Sequence, residues 1–509
     1  MQSPQAVIEI GSTGIRLLVA EITKDKKRNI LDRSELPINL GRDVFTTGII
    51  SRNTLIAAQR ILNRFGEQLA GYGISREDTT VLGTSAVREA LNRDPFVDRI
   101  KITTGFTVRV INGIDENRLM YIAVTDCFKD ESERMKQSNS IILEIAGGTT
   151  EMMLMEKGKI VGAHSMRLGT VIIEQQIRAR AGKLDDAHRI IEEFLRNTKK
   201  ALSTETNLDK VQQFIALGGD MKRASLAVGH FISTFLWEIK RADFEKFVDE
   251  IQGYTEEECV ARFKLSYSEA KTFQISLLAY RLFVKLTNAK SIIVPETTIR
   301  EGLLISQMRE PKKSILSGFS EQIIASATTL LRKYQGDENH AQYVRETSLR
   351  LYDAMEKELG LPERASMLLE VSAILHDIGM FIRAEDHNIH SKYIIMHSEI
   401  FGLSLDEVSL IAQIAAYHKG GRMPQNDPEI KLLPRESRLT ILKLSAILRV
   451  ADALDRSHKQ QLGNFNISFA KDSITIRIKD HHSLSLEKLA MKEKGDLFEN
   501  VFGYTIVIV

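Results

Sequence analysis

A chain of 509 residues exceeds what one hydrophobic core supports and implies roughly three or four domains. Its 43% apolar and 27% charged residues are ordinary for a soluble globular protein. A net charge of only +2 excludes a global cationic field, so no nucleic-acid partner is expected and any polyanion must be drawn by a local groove. The two cysteines, Cys127 and Cys259, rule out a disulfide framework, and no cleavable leader or long apolar run is visible, so a cytoplasmic protein without a membrane partner is expected.

Residues 5–45 read as strands, with 6–10 and 15–22 pairing around Gly11, Ser12 and Thr13, and 29–40 as a further extended segment. Helical spacing follows over 51–69, with Ser51 as its cap. A short strand at 79–82 runs into Thr84, Ser85 and Arg88 at a helix start, a corner that suits either an anion or plain N-capping by the hydroxyls. The strand at 107–111 ends in Asn112-Gly113, ahead of Asp115 and Glu116. Acids in a first turn favour the helix dipole, and that alone would explain them.

Residues 140–154, SIILEIAGGTTEMML, repeat the order of 7–20, VIEIGSTGIRLLVA: apolar run, acid, small-residue turn, apolar run. Such a turn aims backbone N–H groups at an anion, and the preceding acid is placed to hold a divalent cation against a phosphate. A simple Gly-Gly hairpin is the plain alternative for one copy. Two copies suggest related halves that each lend a loop to one cleft. Beyond them, a strand is expected from 159, helices at 171–180, 187–200 and 209–214, a strand at 213–217, then Gly218-Gly219-Asp220 and a helix over 221–228. A helix over 266–287, a strand at 291–294 and a closing helix from 298 complete an α/β pattern.

Residues 308–320, basic and carrying Pro311, form the expected domain boundary. From there to about 462 the pattern is helical, with apolar residues at threes and fours over 344–359, 364–375 and 438–454. From Phe465 the period switches to two, which predicts a small β-containing tail.

In order along the chain, VIEIGSTGIRLL, GTSAVREALN, INGIDENRLMY, EIAGGTTE, ALGGDMKRA and IREGLL resemble the exopolyphosphatase/guanosine pentaphosphate phosphatase family, within the sugar kinase/Hsp70/actin superfamily. The resemblance covers residues 1–306 and implies two ribonuclease-H-like lobes, 1–125 and 126–306, with an active cleft between them. It implies Mg²⁺- or Mn²⁺-assisted release of a terminal phosphate from inorganic polyphosphate or from pppGpp. It makes Glu116 the acid that activates the attacking water, with Glu151 assisting, and Glu9 and Glu144 the cation-holding loop acids. Ser12, Thr13, Gly147, Gly148 and Thr149, with Arg16 and Arg88, would receive the phosphates. The family usually has Asp at the positions of Glu9 and Glu144, and Gly where this chain has Ala146. Ala146 is tolerated there only with a negative φ.

Residues 318–462 resemble an HD-type domain through His340, His376-Asp377 in AILHDIG, and Asp452 in LRVADALDRSH, which imply a metal site with nitrogen and oxygen ligands. His387, His390, His397 and His418 lie between and are candidates for a second site. Residues 463–509 form the small α+β tail domain. Lys312, Lys313, Arg332, Lys333, Lys419 and Arg422 are candidates to guide a long polyanion. A homodimer is the default expectation. The other readings are a weakly catalytic polyphosphate- or alarmone-binding regulator, and a nucleotide phosphohydrolase working through the HD-like domain.

Overall fold

A computed structural model describes residues 4–22, 28–179, 188–194, 196, 207–308, 314–421, 423–460, 465–478 and 484–509. Lys312, Lys313, Arg422, the centre of the 308–320 boundary and much of the helix expected over 187–200 lie outside these. The chain forms two compact units, Met1–Gly318 and Phe319–Val509.

In the first unit, β1 (Gln5–Ile10), β2 (Gly14–Ile22), β3 (Arg28–Pro37), β4 (Thr80–Gly83) and β5 (Val108–Val110) make a sheet of order β3-β2-β1-β4-β5. The first three strands form an antiparallel meander, while β4 and β5 run parallel to β1. A second sheet holds β6 (Ser140–Ile145), β7 (Thr150–Glu156), β8 (Lys159–Met166), β9 (Gln213–Leu217), β10 (His230–Ser233), β11 (Leu236–Lys240) and β12 (Ser291–Pro295), in the order β10-β11-β12-β9-β6-β7-β8. Its β8-β7-β6-β9-β12 segment repeats the first sheet's order and directions. Both sheets lie in one α/β unit. The apolar runs at the start of β1 and β6 are buried because each is a central strand, with Val7, Ile8, Ile141, Ile142 and Leu143 in the core.

Two expectations are corrected. Residues 40–45 are not extended: Leu40–Thr47 is a helix, with Leu40 and Val44 buried one turn apart and Gly48 ending it at φ 78°. Its start is tied to the first loop, because Gly41 N–H donates to Ser12 C=O at 2.8 Å and Ile38 N–H to Thr13 C=O at 3.0 Å. Residues 209–214 are not a helix either. Only a 3-10 turn, Leu208–Lys210, precedes β9, whose pairing with β6 begins at Gln213 opposite Ser140.

The second unit is mostly helical, built on Glu338–Ala354, Ala365–Leu375, His387–Met396, Leu405–Ala416 and Arg435–Ala453. Strands β13 (Phe465–Phe469), β14 (Ser473–Ile478) and β15 (Thr505–Ile508) form a small sheet, and helices Ser485–Lys494 and Asp496–Phe502 link β14 to β15. Phe465, Ile474, Leu497 and Phe498 join the same apolar cluster as Leu375, Ile411 and Leu448, so the tail shares one core with the helices. Arg449 is fully buried in it, its Nε donating to Tyr417 C=O at 2.6 Å and Nη1 pairing with Asp496 at 2.9 Å.

Candidate functional site

In the first unit the two hairpins share one register. Glu9 faces Arg16 and Ile10 faces Ile15 across β1 and β2, while Glu144 faces Glu151 and Ile145 faces Thr150 across β6 and β7. Each tip closes on itself: Gly11 N–H donates to Gly14 C=O at 3.0 Å, and Ala146 N–H to Thr149 C=O at 2.9 Å. The tips touch. A Cβ added to Gly147 would lie 2.9 Å from Ser12 Cβ, so only glycine permits this approach. Ala146 is not among the non-glycine residues in the left-handed region, so its methyl is carried without strain.

A cleft of about 350 Å³ opens where the tips meet, lined by Glu9, Ser12, Thr13, Arg16, Glu116, Glu144, Gly147 and Glu151. Arg88 is not among the lining residues, but its guanidinium is bonded to the Glu116 carboxylate and to Ile111 C=O at 2.7 Å. Glu116 is presented by helix Gly113–Cys127, whose Asn112 cap accepts from Asp115 N–H at 2.8 Å. Gly148 and Thr149 stand behind the lining. A Cβ on Gly148 would strike Phe45 and Ser85, and Thr149 is buried.

The cleft also holds residues to which the sequence reading gave no role. Arg300 Nε lies 3.3 Å from Glu9 Oε2, and Arg16 Nη1 lies 3.5 Å from Glu9 Oε1 while Nη2 reaches Glu35 at 2.7 Å. Asp220 and Arg223, from the start of helix Gly219–Val228, line the far wall. Glu151 is held at both oxygens: Ser165 Oγ donates to Oε1 at 2.7 Å and Asn117 Nδ2 to Oε2 at 2.9 Å. Of these, Arg300, Asp220, Arg223 and Asn117 lie within the family-like motifs, whereas Glu35 and Ser165 do not. Behind the second loop, Tyr280 accepts from Ile145 N–H at 2.9 Å and donates to Leu217 C=O at 2.5 Å, bridging the ends of β6 and β9.

The carboxylates crowd one another. Burial pushes Glu144 up to about 7, helped by the charges of Glu9 and Glu116 and opposed by Arg16 and Arg300. Burial also raises Glu116, against the pull of Arg88, and raises Glu151 well above the usual range, with Glu116 adding to it. Glu116 and Glu151 therefore titrate as a pair that holds a proton tightly. Among the described residues no three cleft carboxylates lie within 4.8 Å of one another.

The helical unit brings together His340, His376, Asp377 and Asp452, and adds His418 and His387. His340 Nε2 lies 3.2 Å from His376 Nε2, 3.8 Å from Asp377 Oδ2 and 3.6 Å from Asp452 Oδ1. Burial drives His376 down to about 4, whereas Asp452, Asp455 and Asp377 outweigh burial at His340 and raise it to about 9. Asp452 also pairs with Lys494 through its other oxygen. His397 is turned away, its Nδ1 on Tyr393 C=O at 2.8 Å, and His390 is not in the cluster. Arg332 is committed to Glu338 by two bonds of 2.9 and 2.8 Å, and Lys419 lies 4.0 Å from Asp386. No helix among the described residues is long and apolar enough to cross a membrane.

The model of the Ppx/GppA phosphatase family matches residues 18–311, and that of Ppx/GppA phosphatase domain III matches residues 324–496. The chain belongs to the Ppx/GppA phosphatase family. Among curated Ppx/GppA relatives, a guanosine-5'-triphosphate,3'-diphosphate pyrophosphatase of Photobacterium profundum is 24% identical over 490 residues, spanning 93% of this chain and 91% of that one. The corresponding Vibrio vulnificus protein is 23% identical over 496 residues, with coverage of 93% and 91%. A solved exopolyphosphatase from Cytophaga hutchinsonii superposes with a TM-score of 0.52 at 22% identity, covering 60% of this chain and 97% of that one, a likeness of fold.

Proposed function

We propose that this Ppx/GppA protein is a phosphoanhydride hydrolase that releases terminal orthophosphate from inorganic polyphosphate and from the 5′-triphosphate end of pppGpp. The observation that carries this is the convergence of both hairpin tips on one cleft that also contains Glu116. The relatives, named for pppGpp and polyphosphate chemistry, support it.

Backbone N–H groups at the tips, with Ser12 and Thr13, receive the terminal phosphate, and Arg16 and Arg88 add positive charge beside it. Glu9 and Glu144 would hold a divalent cation, Mg²⁺ or Mn²⁺, which would supply charge neutralisation at the phosphate oxygens. Glu116 accepts the proton of the attacking water as the new oxygen–phosphorus bond forms and the bridging oxygen–phosphorus bond breaks, its electron pair leaving with the shortened chain's terminal phosphate oxygen. Its raised affinity for protons brings it nearer the range where a general base works at neutral pH. Glu151, fixed by Ser165 and Asn117, orients the same water and shares the pair's proton.

In this reading residues 1–125 and 126–306 are the two ribonuclease-H-like lobes, 318–462 an HD-like domain whose His340, His376, Asp377 and Asp452 hold one metal ion, and 463–509 a small α+β appendage. The protein works in the cytoplasm as a homodimer. A phosphate-release assay on polyphosphate and pppGpp with Mg²⁺ and Mn²⁺ tests the activity. Release from either substrate is expected, whereas tight binding of both without turnover would make the protein a regulator.

A further inference from the structure

Behind the two hairpin tips lies a second connection between them. Helix Leu40–Thr47 starts on the first loop, where Gly41 N–H donates to Ser12 C=O at 2.8 Å. Helix Thr170–Ala179 starts on the second loop in the same manner. There Thr170 N–H donates to Ala146 C=O at 3.0 Å and Val171 N–H to Gly147 C=O at 2.9 Å. The backbones approach so closely that a Cβ added to Gly169 would collide with Gly147 C=O. Each tip is therefore joined rigidly to a helix start, and a shift of either helix moves its tip.

The two helices are fastened to each other by polar side chains. Arg42 Nη2 donates to both carboxylate oxygens of Glu174, each at 3.2 Å. Gln175 Nε2 donates to Arg42 C=O at 3.1 Å and to Thr46 Oγ1 at 2.7 Å. Glu174 is buried and takes a second guanidinium from its own helix, Arg178 Nη2 at 2.7 Å. A buried ion pair is a poor device for raising stability, and its best-attested use is to fix one register between packed elements. Phe45 adds a cross-link, since it belongs to the first helix yet lies where a Cβ on Gly148 of the second loop would strike its ring.

We propose that Arg42 and Glu174 are positioning residues that set the spacing of the two loop tips, and through it the gap between Glu9 and Glu144. The inference rests on the reading in which those two acids hold one cation, because a shared ion measures the distance between the hairpins. Mg²⁺ demands near-octahedral geometry at about 2.0–2.1 Å, so a gap that is not held lowers cation affinity.

The test compares the Mg²⁺ midpoint of native full-length protein with those of R42M, R42K and E174Q. It is read twice: in phosphate release from polyphosphate, and without substrate in the Mg²⁺-dependent stabilisation seen by the fluorescence of Trp237, which lies in β11 of the same unit. Methionine keeps an apolar stem, and Glu174 retains Arg178, so R42M strands no buried charge. Both midpoints should rise about tenfold in R42M, the scale of one lost charged hydrogen bond, while R42K keeps a cationic donor and should stay within about twofold of native. E174Q should shift both midpoints in the same direction and decides the matter should R42M not fold. A release rate that falls while the midpoints of R42M and E174Q stay native is a loss of folded protein and overturns the inference. So does an R42K shift equal to that of R42M. A native chain whose release and unfolding both ignore Mg²⁺ overturns the shared-cation reading itself, and the inference with it.

Discussion

Replacing Glu144 with glutamine should make the metal-free protein more stable, and increasingly so as pH rises. The Glu144 carboxyl binds its proton in the folded state up to about 7, against an ordinary 4.5, because it is buried beside Glu9 and Glu116. Below pH 4.5 both folded and unfolded chains are protonated there and nothing is lost. Between 4.5 and 7 the unfolded chain releases the proton first, so stability falls with pH. Above 7 the full difference applies, an upper figure of about 3 kcal/mol since the group keeps some solvent contact. Glu144→Gln removes this penalty, and a cation bound to the ionised carboxylate offsets it. Trp237 in β11 is the chain's one tryptophan, so its fluorescence reports unfolding of the first unit alone. With EDTA, E144Q and the native chain should unfold alike at pH 4, and the native chain should be less stable by up to about 3 kcal/mol at pH 8. Excess Mg²⁺ at pH 8 should close most of that gap by acting on the native chain. A difference that is flat with pH, or that Mg²⁺ leaves unchanged, would refute the placement of Glu144 as a cation-linked acid.

Glu116→Gln should lower phosphate release by two or more orders of magnitude with folding intact, the scale of a lost general base; a near-native rate removes Glu116 from that role. Arg300→Met deprives Glu9 of one of its two cationic partners and should cut kcat/KM about 10- to 100-fold, equivalent to the ~1.5–3 kcal/mol of a charged hydrogen bond; an unchanged kcat/KM would show that Arg300 is not needed to set the Glu9 carboxylate. Tyr280→Phe keeps the ring but strands Ile145 N–H and Leu217 C=O, and should cost about 1–3 kcal/mol in Trp237-detected unfolding. An unaltered unfolding curve would mean that the hydroxyl bridges nothing of consequence.

The loops were legible because their signal is local: an acid and small residues between two apolar runs produce the hairpin wherever the chain places it. The Leu40–Thr47 helix was not, since eight residues following a strand carry little periodicity and its start is fixed by the distant Ser12 and Thr13. The groups that hold Glu151 were hidden for the same reason. Ser165 faces it across β7 and β8, a register that only pairing reveals, and Asn117 arrives from helix Gly113–Cys127. Likewise, four histidines between Asp377 and Asp452 looked equivalent by composition. Only the direction of each Nδ1, set by which carbonyl lies beneath the ring, separates His387 and His418 from His397.

The shared register of the two hairpins explains why the cleft is chemically one-sided. Arg16 and Glu151 occupy corresponding positions, each opposite its loop's acid. In the first hairpin that opposite residue is a cation, so Glu9 is compensated within its own hairpin, and Arg300 compensates it again. In the second hairpin the opposite residue is another acid, which cannot neutralise Glu144 and is instead drawn to Ser165 and Asn117. Excess negative charge therefore collects around Glu144, Glu151 and Glu116, the groups that burial and mutual repulsion drive to hold protons. A repeated fold with one charge inverted yields a cation-demanding side and a compensated side within a single cleft, and the asymmetry needs no difference in backbone to arise.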